Sequence, residues 1–109
     1  MTIHVDPMMA CIANKRWPYP RACHMFADTI PELHDKAAQI GLKHAWFQNQ
    51  PGHVPHYDLT DGKRGQAVAA GAVELTASES VAFWYAKGWR GKRRIFPTAA
   101  CPEASRCDK

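Results

Sequence analysis

Apolar positions along this chain fall into two alternating patterns, short strand-like runs and longer helical stripes. Residues 2–5 (Thr-Ile-His-Val) carry the β-branched side chains of a strand. Cys23-His24-Met25-Phe26-Ala27 reads as a second short strand. Thr29-Ile30-Pro31-Glu32 then reads as a helix start: a hydroxyl to accept from first-turn amides, Pro in that turn, Glu three residues on. The helix runs to about Ile40, with Ile30, Leu33, Ala37 and Ile40 on one face, and Gly41 ends it. His44-Ala45-Trp46-Phe47 is a third strand candidate. Thr60 caps a second helix that keeps Ala67 and Val68 inward and stops at Gly71. Residues 72–75 are a fourth strand candidate. Thr76-Ala77-Ser78-Glu79 opens a third helix with Val81, Trp84 and Tyr85 inward and Gly88 as its stop. Strands alternating with helices predict an α/β fold. The expectation is a small, largely parallel sheet of three to four strands with three helices, Rossmann-like in alternation.

Residues 7–22 and 48–55 read as loops, broken by Pro, Gly and Asn. Within the first, Arg16-Trp17-Pro18-Tyr19-Pro20-Arg21 sets two aromatics between two arginines, suited to stacking on a ring or to packing as a lid. A chain of 109 residues is one domain by length, expected over residues 1–90, with a loose basic tail at 91–109. The net charge of +4 is unevenly spread: residues 1–61 hold five Lys/Arg against six Asp/Glu, residues 62–109 nine against four. Residues 87–94 hold five bases and no acid. That run can meet phosphate backbones, or it is simply a solvated tail. No apolar run approaches a membrane span, and the N-terminus lacks the basic-then-apolar pattern of an export signal. A cytoplasmic protein that binds no membrane is the expectation. Its four cysteines, with no C-x-x-C pair, are then expected as free thiols.

The chemistry-bearing residues gather at predicted strand ends, where open α/β folds place ligand sites. Asp6 ends the first strand, His24 and Asp28 bracket the second, and His56-Tyr57-Asp58 stands at a later strand-to-helix junction. Were the strands neighbours, Asp6 and Asp28 would converge and need a metal, a proton or a base such as Arg64 to offset their repulsion. With His24, His34 and Asp58 added, a mixed nitrogen and oxygen site for Zn or Mn takes shape, though no H-x-x-x-H or C-x-x-C signature supports it. Blander readings stand beside this one. Glu32 and Glu79 are explained by capping, His34 by the edge of a core, and Asp58 by a turn that accepts backbone amides. His4 and His44 read as strand surface and His53 as loop. Cys23 points away from its neighbour His24 and reads as core, so no nucleophile triad assembles.

The ordered set of polar residues resembles a bacterial and phage family catalogued as domain of unknown function 4031. The residues that carry the resemblance are Asp6-Pro7, Trp17-Pro18, His24 with Asp28-Thr29, Glu32-Leu33-His34, Gly41, His56-Tyr57-Asp58, Arg64 and Ala70-Gly71-Ala72. They span about residues 2–90. The resemblance brings no activity with it, and a phage origin would place the protein in the host cytoplasm. From the residues themselves the first expectation is a metal-assisted phosphoesterase acting on a nucleotide or nucleic acid. His56 would be its general acid/base, with Asp28 and Asp6 beside it. Asp6, Asp28, His24, His34 and Asp58 would hold the ion. Arg64, Trp17, Tyr57, Lys92, Arg93 and Arg94 would meet the phosphate and base. The alternative is a non-catalytic phage-type binding or inhibitor module that captures a nucleotide, a nucleic acid or a host protein with the same surfaces.

Overall fold

Buried on both faces from Ala22 to Ala27, the strand β3 (Arg21–Ala27) forms the middle of the sheet. The computed structural model describes residues 2–15 and 17–89. On one side β3 pairs antiparallel with β1 (Ile3–Val5) and, further along, with β2 (Met9–Ala10). On the other side it pairs antiparallel with β4 (Tyr57–Leu59). Beyond β1 lies β5 (Val73–Glu74), in parallel register. The sheet is therefore mixed and mostly antiparallel, and the expected largely parallel sheet is not what forms. A parallel pair needs a crossover, usually a helix. No described helix lies between β1 and β3: the connection holds the short β2 and a proline-broken turn, and the chain returns antiparallel.

Among the described residues, three α-helices complete the α/β fold. Thr29 caps α1 (Ile30–Gln39), Thr60 caps α2 (Asp61–Ala69), and Thr76 with Glu79 forms a full capping box on α3 (Ala77–Ala86). The pleat sends alternate residues to opposite faces. Ile3, Val5, Cys23, Met25, Ala27, Tyr57 and Leu59 face α1 and α2, where Leu33, Ala37, Ile40 and Ala67 close the main core. Phe26 faces the other way, onto Trp84 of α3 and Val54. His4 lies on that second face too, its ring 5.6 Å from Phe26 and 4.6 Å from Phe83, so it is buried under α3 and is not strand surface.

Three local expectations change. Residues 44–46 form a single 3₁₀ turn, His44–Trp46, closed by Trp46 N–H to Lys43 O and Phe47 N–H to His44 O. Trp46 and Phe47 serve as plugs against the main core from that turn. Residues 57–59, read as a junction, are a strand. Tyr85 points outward at 69% exposure, because Ser80 and Trp84, one turn apart, take the inward stripe of α3. Cys11 is disulfide-bonded, so the expectation of free thiols holds for Cys23 and not for Cys11. No helix among the described residues is long and apolar enough to cross a membrane. The basic residues Lys92, Arg93 and Arg94, and the tail to which they belong, lie outside the described residues.

Candidate functional site: a His/Asp row across three strands

Strand register builds the site. Asp6 donates its backbone N–H to His24 O at 3.2 Å, and His24 is the register partner of Asp58. Asp6, directly after β1, thus stands beside His24 on β3 and Asp58 on β4, on the face that α3 covers. His56, two residues before Asp58, shares that face because the side-chain period of a strand is two. An isolated bridge to Gln48 fixes its backbone. Val54 and Trp84 wall the cluster, with the Trp84 ring 5.9 Å from that of His24.

A local irregularity aims Asp6. From the Asp6–His24 pair to the Met9–Ala22 pair the chain advances three residues on one strand against two on the other. That extra residue is a bulge, a feature that re-aims side chains next to sites, and Pro7 within it has no N–H to give the ladder. The Asp6 side chain accordingly stands in for its own carbonyl: Oδ1 accepts the His24 backbone N–H at 2.6 Å. Oδ2 lies 2.7 Å from His24 Nδ1. The displaced Asp6 carbonyl accepts from Arg64 Nε at 2.9 Å, while Arg64 Nη1 pairs with Glu74 Oε1 at 2.9 Å.

Each remaining member is held in a similar way. His56 Nδ1 is 2.8 Å from Val54 O, which directs Nε2 to Asp58 Oδ1 at 3.4 Å. The Gln48 amide donates to Asp58 Oδ2. The His24 and His56 rings meet edge to face, centroids 4.9 Å apart. One donor atom each from His24, His56 and Asp58 lies within 4.8 Å of the others, a spacing that could hold a metal ion. Tetrahedral bonds of about 2.0–2.1 Å put neighbouring ligand atoms about 3.4 Å apart. The His56–Asp58 pair already has that spacing, and drawing the His24 donor atom inward from within 4.8 Å completes it. The site is closed: the Asp6, Asp58, His56 and His24 side chains are 0%, 1%, 4% and 11% exposed.

Other expected site residues lie elsewhere. Asp28 does not converge with Asp6. It follows Ala27, which pairs with Ile3, so it sits four residues along β3 from His24, about 13 Å away. Antiparallel pairing puts the carboxyl ends of two neighbouring strands at opposite edges. Asp28 Oδ1 instead faces His4 Nε2 at 3.8 Å, and Lys87 donates to its carbonyl at 3.1 Å. His34 is on α1, across the sheet from the cluster, with Nδ1 2.9 Å from Tyr57 Oη. Tyr57, next to Asp58 on β4, faces the main core for the same reason of alternation. Trp17 is buried against Ala22, with Nε1 donating to Arg21 O, and packs as a lid. Cys23 is an unreactive thiol: burial pushes its pKa far up, and nearby Asp6 adds to this. Sequence reading missed Gln48 and the Val54 carbonyl. Neither carries a signal in a loop of Pro, Gly and Asn.

Fold and cluster together define a small mixed α/β protein with a closed His/Asp centre. By sequence the chain belongs to the family described as Protein of unknown function (DUF4031), whose model matches residues 3–87. No curated protein and no solved structure matches it.

Proposed function

We propose that this protein is a small metal-assisted hydrolase of phosphate esters, acting on a nucleotide or nucleic acid, with its ion held by His24, His56 and Asp58. One observation carries the reading: three donor groups converge, and each is oriented by a neighbour that binds its far side. Ligating imidazoles in metal sites usually give their other nitrogen to a carboxylate or carbonyl. Asp6 and Val54 O fill those roles here. Two imidazoles with one carboxylate suit Zn, Mn or Fe. Such an ion polarises a phosphoryl oxygen and acidifies bound water. Arg64 brings a positive charge to the carboxyl end of β1, and the chain's net charge of +4 favours an anionic substrate. Asp6 is a positioning residue in this reading, since His24 engages both of its oxygens.

The closed site favours a second reading. Structural metal sites are closed, and catalytic ones keep an open position. A centre with side chains so little exposed also suits a binding module in which the ion or ligand is held and not turned over. The experiment measures metal content and hydrolysis together. Purified protein is loaded with Zn or Mn and given bis(p-nitrophenyl) phosphate, nucleotides and single-stranded nucleic acid. Ion-dependent turnover that disappears in His56→Ala is the expected result. Stoichiometric metal without turnover on any of these sinks the hydrolase and leaves the binding module.

A further inference from the structure

We infer that His34 and His44 form a second, surface metal-binding site, a chelate of two imidazoles for a borderline divalent ion such as Zn, Ni or Cu. Their rings lie 4.4 Å apart, centroid to centroid, with planes inclined by 40°. The two residues come from separately anchored elements. His34 sits on α1 directly after Leu33, which is fixed in the main core. His44 opens the 3₁₀ turn, which Trp46 and Phe47 pin against the same core. The Phe47 ring stands edge to face with His34, centroids 4.5 Å apart, and its centroid is 6.3 Å from that of His44.

Protonation and access both suit a ligand role. Burial, and then the neighbouring His44, hold the His34 pKa below the ordinary imidazole value, so the ring is neutral and ligation-ready at neutral pH. Tyr57 Oη lies 2.9 Å from His34 Nδ1. In the tautomer whose Nδ1–H donates a hydrogen bond to that hydroxyl, Nε2 is the ligating atom, with the outer-sphere support that metal-bound histidines ordinarily have. His44 is exposed and His34 half-buried, so an ion reaches the pair without opening the fold. Two nitrogens leave the remaining coordination positions to water. Imidazole pairs of this kind suit Zn, Cu and Ni better than Mg or Ca.

This site is independent of the central one. Tyr57 and Asp58 are consecutive on β4 and point to opposite faces of the sheet, so the His34 pair and the His24 cluster lie on its two sides. Equilibrium dialysis against Zn, with metal counted per chain, separates them. Wild type should bind two ions, and His44→Ala and His56→Ala one each. Zn-induced shifts of the His34 and His44 ring nitrogens in heteronuclear NMR should persist in His56→Ala. His44 is exposed, so its replacement leaves the core intact, and an unchanged circular dichroism spectrum checks this. A single ion lost in His44→Ala alone supports the surface chelate and removes the ion from the central site. A Zn count that His44→Ala leaves unchanged overturns the surface chelate whatever happens at His56.

Discussion

Asp6 binds His24 twice: its Oδ1 accepts the His24 backbone N–H at 2.6 Å, and its Oδ2 lies 2.7 Å from the ring Nδ1. A carboxylate used in this way fixes rotamer and tautomer together, with the proton on Nδ1 and Nε2 turned to His56 and Asp58. Both atoms of the grip come from one strand pair, so the sheet itself sets the orientation of the ring.

Asp6→Asn tests that grip. The carboxamide keeps the shape but has only one acceptor oxygen for the two His24 donors, so its NH₂ faces the other N–H group. His24 should lose its fixed tautomer, and Zn affinity of the central site should fall about 10–100-fold, as for other outer-sphere carboxylates. Stability should fall by about 1–3 kcal/mol from the buried donor left unsatisfied. Dialysis and urea denaturation measure the two effects. Full Zn affinity in a stable Asp6→Asn protein would mean that Asp6 holds the strands together and not the ligand.

Trp84→Ala tests the wall of the site. The indole is 1% exposed and packs edge to face on Phe26 at 5.3 Å. Removing so large a buried aromatic should cost about 3–5 kcal/mol. The same cavity opens beside His24, so metal affinity should drop with stability. A denaturation midpoint equal to that of wild type would mean that α3 does not seal the second face.

The helices were readable because their signals are local. Thr29, Thr60 and Thr76 each cap where the sequence places a hydroxyl, and Gly41, Gly71 and Gly88 take the positive φ that ends each helix. Strand direction was not readable, because pairing joins residues far apart in the chain. From alternation alone, Asp6 and Asp28 look like two carboxylates at equivalent strand ends, and only the antiparallel register separates them. His24, Asp58 and His56 were all visible as polar residues in apolar surroundings. Their convergence depends on β3 lying between β1 and β4, and β4 (Tyr57–Leu59) overlaps His56-Tyr57-Asp58, where three polar-capable side chains suggest a junction. His4 was misplaced for a related reason. Strand alternation identifies the second face of the sheet, but not the helix that covers it.

Stability should depend on pH in a way set by two histidines. Burial holds the His4 pKa below the ordinary imidazole value, with the Asp28 carboxylate opposing in part, and His34 is lowered by burial and by His44. In the unfolded chain both return to about 6.5. Below that value the unfolded chain takes up protons that the folded chain resists. Their contribution is therefore complete above about pH 6.5 and is lost as the pH falls beneath it. His4→Phe keeps a ring between Phe26 and Phe83 and removes the titrating group, whose nitrogens make no hydrogen bond among the described residues. Urea titrations from pH 7.5 to pH 5 should show a shallower loss of stability in His4→Phe than in wild type. Equal slopes would mean that charging His4 costs the folded protein nothing.

Asp58→Asn separates the hydrolase from the binding module most directly. The substitution keeps a carbonyl oxygen near His56, where the native carboxylate oxygen lies 3.4 Å from Nε2, but it removes the negative charge that an ion needs. The Gln48 amide still has an oxygen to donate to, so the fold should hold. In the hydrolase, Zn affinity and turnover should fall together, turnover by about 100-fold or more, and excess Zn should restore part of the rate. In a module that captures an anion without metal, loss of a buried negative charge should leave binding of a nucleotide unchanged or tighten it, since a like charge has gone. Calorimetry with a nucleotide, alone and with Zn, reads the difference on one preparation. Tighter nucleotide binding by Asp58→Asn, with no effect of Zn on either protein, would remove the ion from the central site and leave an anion pocket in its place.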